Sequence, residues 1–142
     1  MGRVRVVAFG AAPSQATIGG GSAGSYFKGL IDEVEVYPRA LTPNEVALRA
    51  SEPVLKMNFD AYQEEVDGTI TYRRYPDAVG GAPAVCEIVE VIPGLTLNLC
   101  PAHDTAGKQG SALSFDGSSH ILSRETPPDL SNGQFTQAFW LY

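Results

Sequence analysis

Two aspartates stand at points of this sequence where strands meet turns, and their carboxylates are suited to bind calcium. Asp32 lies near the start of a strand segment at 30–37, and Asp116 precedes Gly117 at a tight turn. Calcium takes six to eight oxygen ligands, which aspartates near turns often supply. The same carboxylates can instead accept hydrogen bonds from backbone N–H groups. The sequence therefore predicts a calcium ligand or a loop-tying acceptor at Asp32. At Asp116 it predicts a calcium ligand or a cap on the amides of Gly117 and Ser118.

The two cysteines, Cys86 and Cys100, are the second pair that could do chemistry. No histidine pair or further cysteine completes a zinc set. A disulfide between them is the prediction, and it would imply an oxidising compartment. Two buried free thiols are the alternative.

Other reactive patterns are missing from the sequence. It contains no nucleophile motif, phosphate loop or metal-hydrolase motif. His103 and His120 lie in turn-rich segments and are predicted to be surface residues rather than bases or ligands. The glycine-rich stretch at 19–24 is not followed by the helix that a phosphate cradle requires.

Composition and charge restrict the class of protein. Of 142 residues, 44% are hydrophobic and 18% charged, which is typical of a globular chain. Fifteen glycines and ten prolines, among short alternating runs, favour many strands and tight turns. The net charge of −6 argues against nucleic acid as a partner. No apolar run reaches the ~20 residues of a membrane-spanning helix.

The segment 30–37 has the period-two pattern of a strand with one buried face. One face of this strand carries Leu30, Asp32, Val34 and Val36, and the other face carries Ile31, Glu33, Glu35 and Tyr37. We expect the valine face to lie in the core, which directs Asp32 inward. The face that carries Glu33 and Glu35 is then predicted to be solvated.

A short helix is predicted near 42–50. Thr42 can cap it, Pro43 takes the first helical position, and Glu45 stands three residues after the cap. This is a capping box with proline at the first helical position. Pro53 limits the helix to about two turns.

The other periodic segments also predict strands, which makes the chain all-β apart from this helix. Their sequences are RVRVVAF, VLKMNFD, GTITYRRY, CEIVEVI, GSALSFD and QFTQAFWLY.

The charge changes along the chain. Residues 1–51 carry five basic and four acidic side chains, whereas 52–142 carry five and twelve. We place a boundary at the 52–53 linker, where Pro53 also interrupts the helical pattern.

Two segments resemble one family of domains. The stretch YFKGLIDEVEVYPRALTPNEV at 26–46 resembles the closing signature of bacterial laminin-G-like domains, in the concanavalin A-like lectin/glucanase superfamily. The stretch from 108 to 142, with GSALSFDG and FTQAFW, resembles the opening of the same domain, and VLKMNFD resembles its first strand. The resemblance implies an antiparallel jelly-roll β-sandwich.

The two signatures occur in inverted order. Residues 1–51 resemble the C-terminal part of one module and residues 54–142 the N-terminal part of the next, which makes the sandwich incomplete or split. The chain is then predicted to be a window across a tandem array. Alternatively, VLKMNFD pairs with LIDEVEVY inside one chain, and strand edges left bare recruit other chains.

Catalysis is not predicted, although the superfamily includes glucanases. Those enzymes carry their acids on one strand as E-x-D-x-E, and retaining glycosidases need two carboxyl groups about 5–5.5 Å apart. Here Glu33 and Glu35 share a face, but Val34 stands between them and no acid of the pattern precedes Glu33. We expect a solvated pair and no enzyme.

The resemblance implies recognition of a glycan or of a cell-surface protein. Sugars stack on exposed aromatic rings, and Tyr62, Tyr72 and Tyr75 stand near Arg73 and Arg74. Packing in the core or at a strand edge explains these tyrosines equally well. Calcium-binding relatives lend support to a calcium site at the two aspartates.

The predicted function is that of a non-catalytic, extracellular or cell-surface recognition module in a multi-module adhesin. One alternative is a structural repeat or strand-exchanging subunit of a stalk or fibre, which contacts neighbouring copies of itself. Another is an accessory module of a secreted glycoside hydrolase.

Overall fold

The computed structural model describes residues 3–6, 16–20, 25–48, 53–104, 106–129 and 136–141. These residues form two antiparallel six-stranded sheets and one short helix, so the predicted β-sandwich is confirmed. The strands are β1 (Arg3–Val6), β2 (Ala16–Ile18), β3 (Lys28–Tyr37), β4 (Leu55–Met57), β5 (Gln63–Asp67), β6 (Ile70–Tyr75), β7 (Ala84–Ile92), β8 (Leu95–Asn98), β9 (Ala102–Asp104), β10 (Ala112–Asp116), β11 (Leu122–Arg124) and β12 (Thr136–Leu141). The helix α1 is Pro43–Leu48.

Strand β3 is the centre of the first sheet, sheet A, whose order is β1-β12-β3-β10-β9. One edge of β3 pairs with β12. The other edge is divided between β10, which pairs with the first half of β3, and β4, which pairs with the second half. The segments VLKMNFD and LIDEVEVY therefore pair within one chain, as the second sequence interpretation proposed. The assignment of the two parts to different modules stays a prediction.

A backbone irregularity in the middle of β3 reverses which side chains face the core. Glu33 has a φ of 51°, and Ile31 lies in the core together with Val34 and Val36. The register between β3 and β12 shifts here, because Ala138 pairs with Glu35 and Trp140 with Asp32. Strand β3 therefore contains one extra residue, a β-bulge, which shifts the alternation by one position. Val34 and Val36 are buried, as predicted. Ile31, however, faces the core rather than the opposite side.

The prediction that Glu33 and Glu35 are solvated is wrong. Their side chains are only 5% and 4% exposed. Lys56 on the neighbouring β4 places its Nζ 2.8 Å from Glu35 Oε1 and 3.9 Å from Glu33 Oε2. The Tyr37 hydroxyl donates a 2.7 Å hydrogen bond to Glu35 Oε2. A buried carboxylate is tolerated when it is paired in this way.

The core fills the space between sheet A and the second sheet, sheet B, whose order is β2-β11-β7-β6-β5, with β8 paired to β7. Strands of both sheets contribute apolar side chains to it, among them Ile31, Val34, Met57, Phe59, Tyr75, Leu113, Phe115 and Leu122. Asp77 and Arg124 are also buried. Arg124 Nη2 lies 3.2 Å from Asp77 Oδ2, and Asp77 Oδ1 accepts hydrogen bonds from the backbone N–H groups of Lys56 and Val79.

The predicted disulfide between Cys86 and Cys100 is present, with 5.1 Å between the two Cα atoms. Cys86 lies in β7, and Cys100 follows β8 by two residues. The bond therefore closes the base of the β7–β8 hairpin.

Helix α1 starts as predicted. The backbone N–H of Thr42 donates to Glu45 Oε2 at 2.9 Å, and the Glu45 N–H donates to Thr42 Oγ1 at 3.3 Å, which forms a reciprocal capping box. Arg39 also pairs with Glu45. The Arg39 guanidinium and the Thr42 donors lower the pKa of Glu45 to about 2.

Within the described ranges, no helix has the length and apolar character to cross a bilayer.

Candidate binding groove

A groove of roughly 150 Å³ opens on the outer face of sheet B. It lies across β6, β7 and β11, the three central strands of the sheet. Its lining includes one tyrosine ring with its hydroxyl, one guanidinium, two carboxylates and two aliphatic hydroxyls, and the residues are Tyr72, Arg74, Ala82, Pro83, Val85, Glu87, Ser123, Glu125 and Thr126.

Strand register brings these residues together. In β6 the alternation directs Tyr75 into the core, so Tyr72 and Arg74 point to the opposite face. Tyr72 pairs with Glu87 of β7, and Arg74 pairs with Val85. Val85 in turn pairs with Ser123 of β11. Residues from separate parts of the chain thus lie side by side on one surface.

The positive charge of the groove is held in place by its neighbours. Arg74 Nε donates to Glu65 Oε2 at 2.8 Å, and Arg74 Cζ lies 5.7 Å from the centroid of the Tyr72 ring. A guanidinium at this distance from an aromatic ring is attracted to it. The tyrosine ring and the cation therefore form one corner of the groove.

The chemistry of the lining suits a hydroxylated ligand. A half-buried tyrosine offers an apolar ring face and a polar tip. The carboxylates of Glu87 and Glu125 accept hydrogen bonds, while the hydroxyls of Ser123 and Thr126 both donate and accept them. This combination can hold the apolar face of a sugar ring while its hydroxyl groups bond to the rim.

The predicted glycan contact at Tyr75 is wrong. Its ring is fully buried and packs against Phe59 and Tyr62 at centroid distances of 5.9 and 5.5 Å. Burial also raises the pKa of Tyr75 to about 12. A side chain with no exposed surface offers no face to a ligand.

Tyr62 and Tyr72 lie apart from each other. The Tyr62 ring is half-buried and packs against Tyr75 and His103, with Arg73 Cζ 4.9 Å from its centroid. Arg73 is on the opposite face of β6 from Tyr72. Of the three predicted tyrosines, Tyr72 alone lines the groove, and a glycan contact at Tyr62 stays a prediction.

Asp32 is buried and binds the loop that precedes β10. Its Oδ2 accepts hydrogen bonds from the backbone N–H groups of Lys108 at 2.5 Å and Gln109 at 3.3 Å. These contacts match the loop-tying alternative. Its Oδ1 is buried and has no hydrogen-bond partner within the described part of the chain, and a calcium ion at this position stays a prediction.

Asp116 organises its own turn. Its Oδ1 accepts hydrogen bonds from the backbone N–H groups of Ser118, Ser119 and His120, and its Oδ2 accepts from the hydroxyls of Ser118 and Ser119. These donors, led by the Ser118 hydroxyl, hold the pKa of Asp116 well below its usual range. The cap on the Ser118 amide matches the capping alternative, whereas Ser119 and His120 rather than Gly117 supply the other backbone donors. Calcium here also stays a prediction. The described residues hold no cluster of three or more His, Cys, Asp or Glu side chains arranged for a metal ion.

The two histidines have structural contacts. His103 Nε2 lies 2.8 Å from the Phe59 carbonyl oxygen, and His120 Nδ1 accepts a hydrogen bond from the Asp116 N–H at 3.2 Å. Both rings are half-buried.

Sequence reasoning missed Glu87, Ser123 and Glu125 as groove residues. Each stands in a segment whose pattern predicts only a strand or a turn, and their proximity to Tyr72 follows from strand pairing over long sequence distances. Arg74 had a local signal, because it is separated from Tyr72 by one residue.

A family model described as the concanavalin A-like lectin/glucanases superfamily matches residues 3–47. This match contains β3 and all but the last residue of α1, and it confirms the resemblance drawn from the closing signature. No curated protein and no solved structure matches the chain. Laminin G-like domains are generally extracellular and typically non-catalytic, and the superfamily supports a carbohydrate- or protein-binding module in general.

Proposed function

We propose that this chain is a non-catalytic extracellular recognition module that binds glycan through the groove on the outer face of sheet B. The groove's corner of Tyr72 and Arg74 carries the proposal. An aromatic ring there stands beside hydrogen-bonding groups of both kinds, which is the combination that orients a small hydroxylated ligand. The family match and the disulfide support an extracellular context.

A glycan array tests this function. The wild-type chain should bind a restricted set of glycans, and Tyr72→Ala should lose up to about tenfold in affinity for them, since a stacked ring is worth about 0.5–1.5 kcal/mol. Tyr26→Ala is the matched control, because Tyr26 is 38% exposed and does not line the groove. Equal binding by wild type and Tyr72→Ala would contradict the groove as the site.

Calcium can be tested in the same assay. If Asp32 or Asp116 holds a calcium ion that orders a rim loop, EDTA should weaken glycan binding and added calcium should restore it. Binding that is insensitive to EDTA would remove calcium from the proposal and leave the groove intact. Ordered fibres of this chain without any glycan binding would support the structural repeat instead.

A further inference from the structure

The β7–β8 hairpin presents apolar side chains to solvent. Ile92, Leu95 and Leu97 are 59%, 54% and 49% exposed. Strand register pairs Ile92 with Leu95 and Val89 with Leu97, and it pairs Ile70 of β6 with Val89. Since cross-strand partners point to one face of a sheet, these five side chains form one apolar patch, here called the hairpin patch. Exposed apolar patches of this kind mark interaction sites.

Strand β8 is also an unprotected edge. It pairs with β7, and among the described strands none pairs with its other side. Its sequence LTLN contains no charge and no proline. The edge strand β5, by contrast, carries Glu64, Glu65 and Asp67. Charged side chains and prolines are the usual means of blocking an edge against strand addition, and β8 has neither.

The free backbone groups of β8 can be assigned from one hydrogen bond. The Leu99 N–H donates to the Glu87 carbonyl oxygen of β7 at 3.0 Å. Alternate residues of an antiparallel strand direct their N–H and C=O groups to the same side. Leu97 therefore bonds toward β7, and the backbone groups of Thr96 and Asn98 point outward.

The charges around β8 select among possible partners. Glu87 shares a face with the hairpin patch, because Glu87 and Val89 are two residues apart in β7. Glu90 lies opposite Thr96 and therefore on the other face. The chain has a net charge of −6, so two copies joined through β8 would bring acidic groups together. A partner with positive charges is attracted to the carboxylate of Glu87 on one face of the hairpin and to that of Glu90 on the other.

We propose that β8 is a strand-addition site for an extended segment of a partner protein. That segment carries apolar side chains at alternate positions, which cover Leu95 and Leu97, and lysine or arginine between them. Its backbone bonds to the outward groups of Thr96 and Asn98, as in other cases of β-augmentation. The Cys86–Cys100 disulfide closes the base of the hairpin and holds this edge in a fixed position before binding. The site shares Glu87 with the lining of the glycan groove, but its backbone contacts are on β8 and do not require a ligand in the groove.

A synthetic peptide, Lys-Leu-Lys-Leu-Lys-Leu-Lys with a fluorescent label, is the direct probe. Fluorescence anisotropy should show saturable binding to the oxidised wild-type chain, and NMR amide shifts should concentrate at residues 95–98. The same peptide with glutamate in place of lysine should bind at least tenfold more weakly. A version of the lysine peptide that is N-methylated at alternate backbone nitrogens should also lose at least tenfold in affinity, since it cannot donate the backbone hydrogen bonds that pair it with β8.

Two variants of the protein and a matched control test whether the peptide binds at β8. Thr96→Pro removes an outward N–H without disturbing a bond to β7, and it should weaken peptide binding about tenfold. Leu97→Lys should weaken peptide binding by a similar factor, because it removes an apolar contact and places a positive charge next to the lysines of the peptide. Val66→Lys is the matched control, because Val66 is 71% exposed and lies on β5. This control and the groove variant Tyr72→Ala should bind the peptide as wild type does.

The outcomes are separable. Binding that is lost in both β8 variants and kept in the two controls supports the proposal. Equal peptide binding by wild type and Thr96→Pro would overturn it, as would equal binding of the lysine and glutamate peptides. Sedimentation that shows a wild-type dimer disrupted by Thr96→Pro would also overturn it, because the occupant would then be a second copy of the chain.

Discussion

Arg124 and Asp77 form a buried ion pair, with 3.2 Å between Nη2 and Oδ2 and side-chain exposures of 7% and 0%. The other oxygen of Asp77 accepts a hydrogen bond from the Lys56 N–H in β4. One carboxylate therefore connects β11 of sheet B with β4 of sheet A. Among the described residues, Arg124 Nε and Nη1 have no hydrogen-bond partner, so the contact of Nη2 with Asp77 compensates the buried charge.

Removing the cation from this pair should destabilise the fold strongly. We expect Arg124→Met to lower the free energy of unfolding by about 3 kcal/mol, because Asp77 is left buried and unpaired. Urea denaturation followed by circular dichroism measures the loss. Arg74→Met is the control, since the pair of Arg74 with Glu65 is exposed and should be worth about 1 kcal/mol or less. Equal losses in the two variants would contradict the assignment.

Reduction of the disulfide should also weaken the fold. The bond closes a loop whose ends are 14 residues apart, which corresponds to about 3 kcal/mol in the chain-entropy model. A lower urea midpoint is expected after reduction of the wild-type chain. The double variant Cys86→Ala, Cys100→Ala should start at the lower midpoint and show no response to the reductant. A response in that variant would show that the effect has another cause.

Gly19 is required where β2 ends. It has a φ of 84°, and a Cβ there would overlap the ring of Phe115. Gly68 has a φ of 61° with open space around it. Both Gly→Ala variants incur the left-handed backbone cost of about 1–2 kcal/mol, and Gly19→Ala adds a steric cost of about 1–3 kcal/mol. Thermal denaturation of the two variants measures the difference, and equal melting temperatures would contradict the contact with Phe115.

The capping box of α1 should be visible in the pH dependence of Glu45. NMR titration should place the pKa of the Glu45 carboxyl near 2, and Arg39→Gln should raise it toward the ordinary value. Because the folded-state pKa is depressed, the stabilisation is present above about pH 4, where the unfolded chain is also ionised, and is lost as the pH falls toward 2. A wild-type midpoint near 4 would show that the contacts with Arg39 and Thr42 do not persist in solution.

Local rules predicted the parts of this fold that depend on neighbouring residues. The capping box depends on Thr42, Pro43 and Glu45, and the structure shows each of its hydrogen bonds. The buried valines followed from alternation in the second half of β3. The bulge at Glu33 is not visible in the alternation of residue types, since bulges depend on how the neighbouring strands pair. Burial of Glu35 was missed for another reason, because its contacts with Lys56 and Tyr37 depend on how β4 pairs with β3 and on side-chain packing.

The candidate groove was predicted only in part. Tyr72 was recognised from residue type and from its arginine neighbours, but the same argument selected Tyr75, which the strand turns into the core. The partners Glu87 and Ser123 come from strands that meet β6 and β7 through register alone. Such a surface is determined by pairings between distant segments, which a single sequence does not reveal.

The position of β3 in sheet A has a consequence for synthesis of the chain. The strand leaves the ribosome roughly 100 residues ahead of the end of β12, a delay of about 5–20 s at common translation rates. During that time Ile31, Val34 and Val36 lack the β12 side of the sheet that shelters them. The nascent chain therefore has a long interval in which chaperones can hold this strand before its last partner arrives.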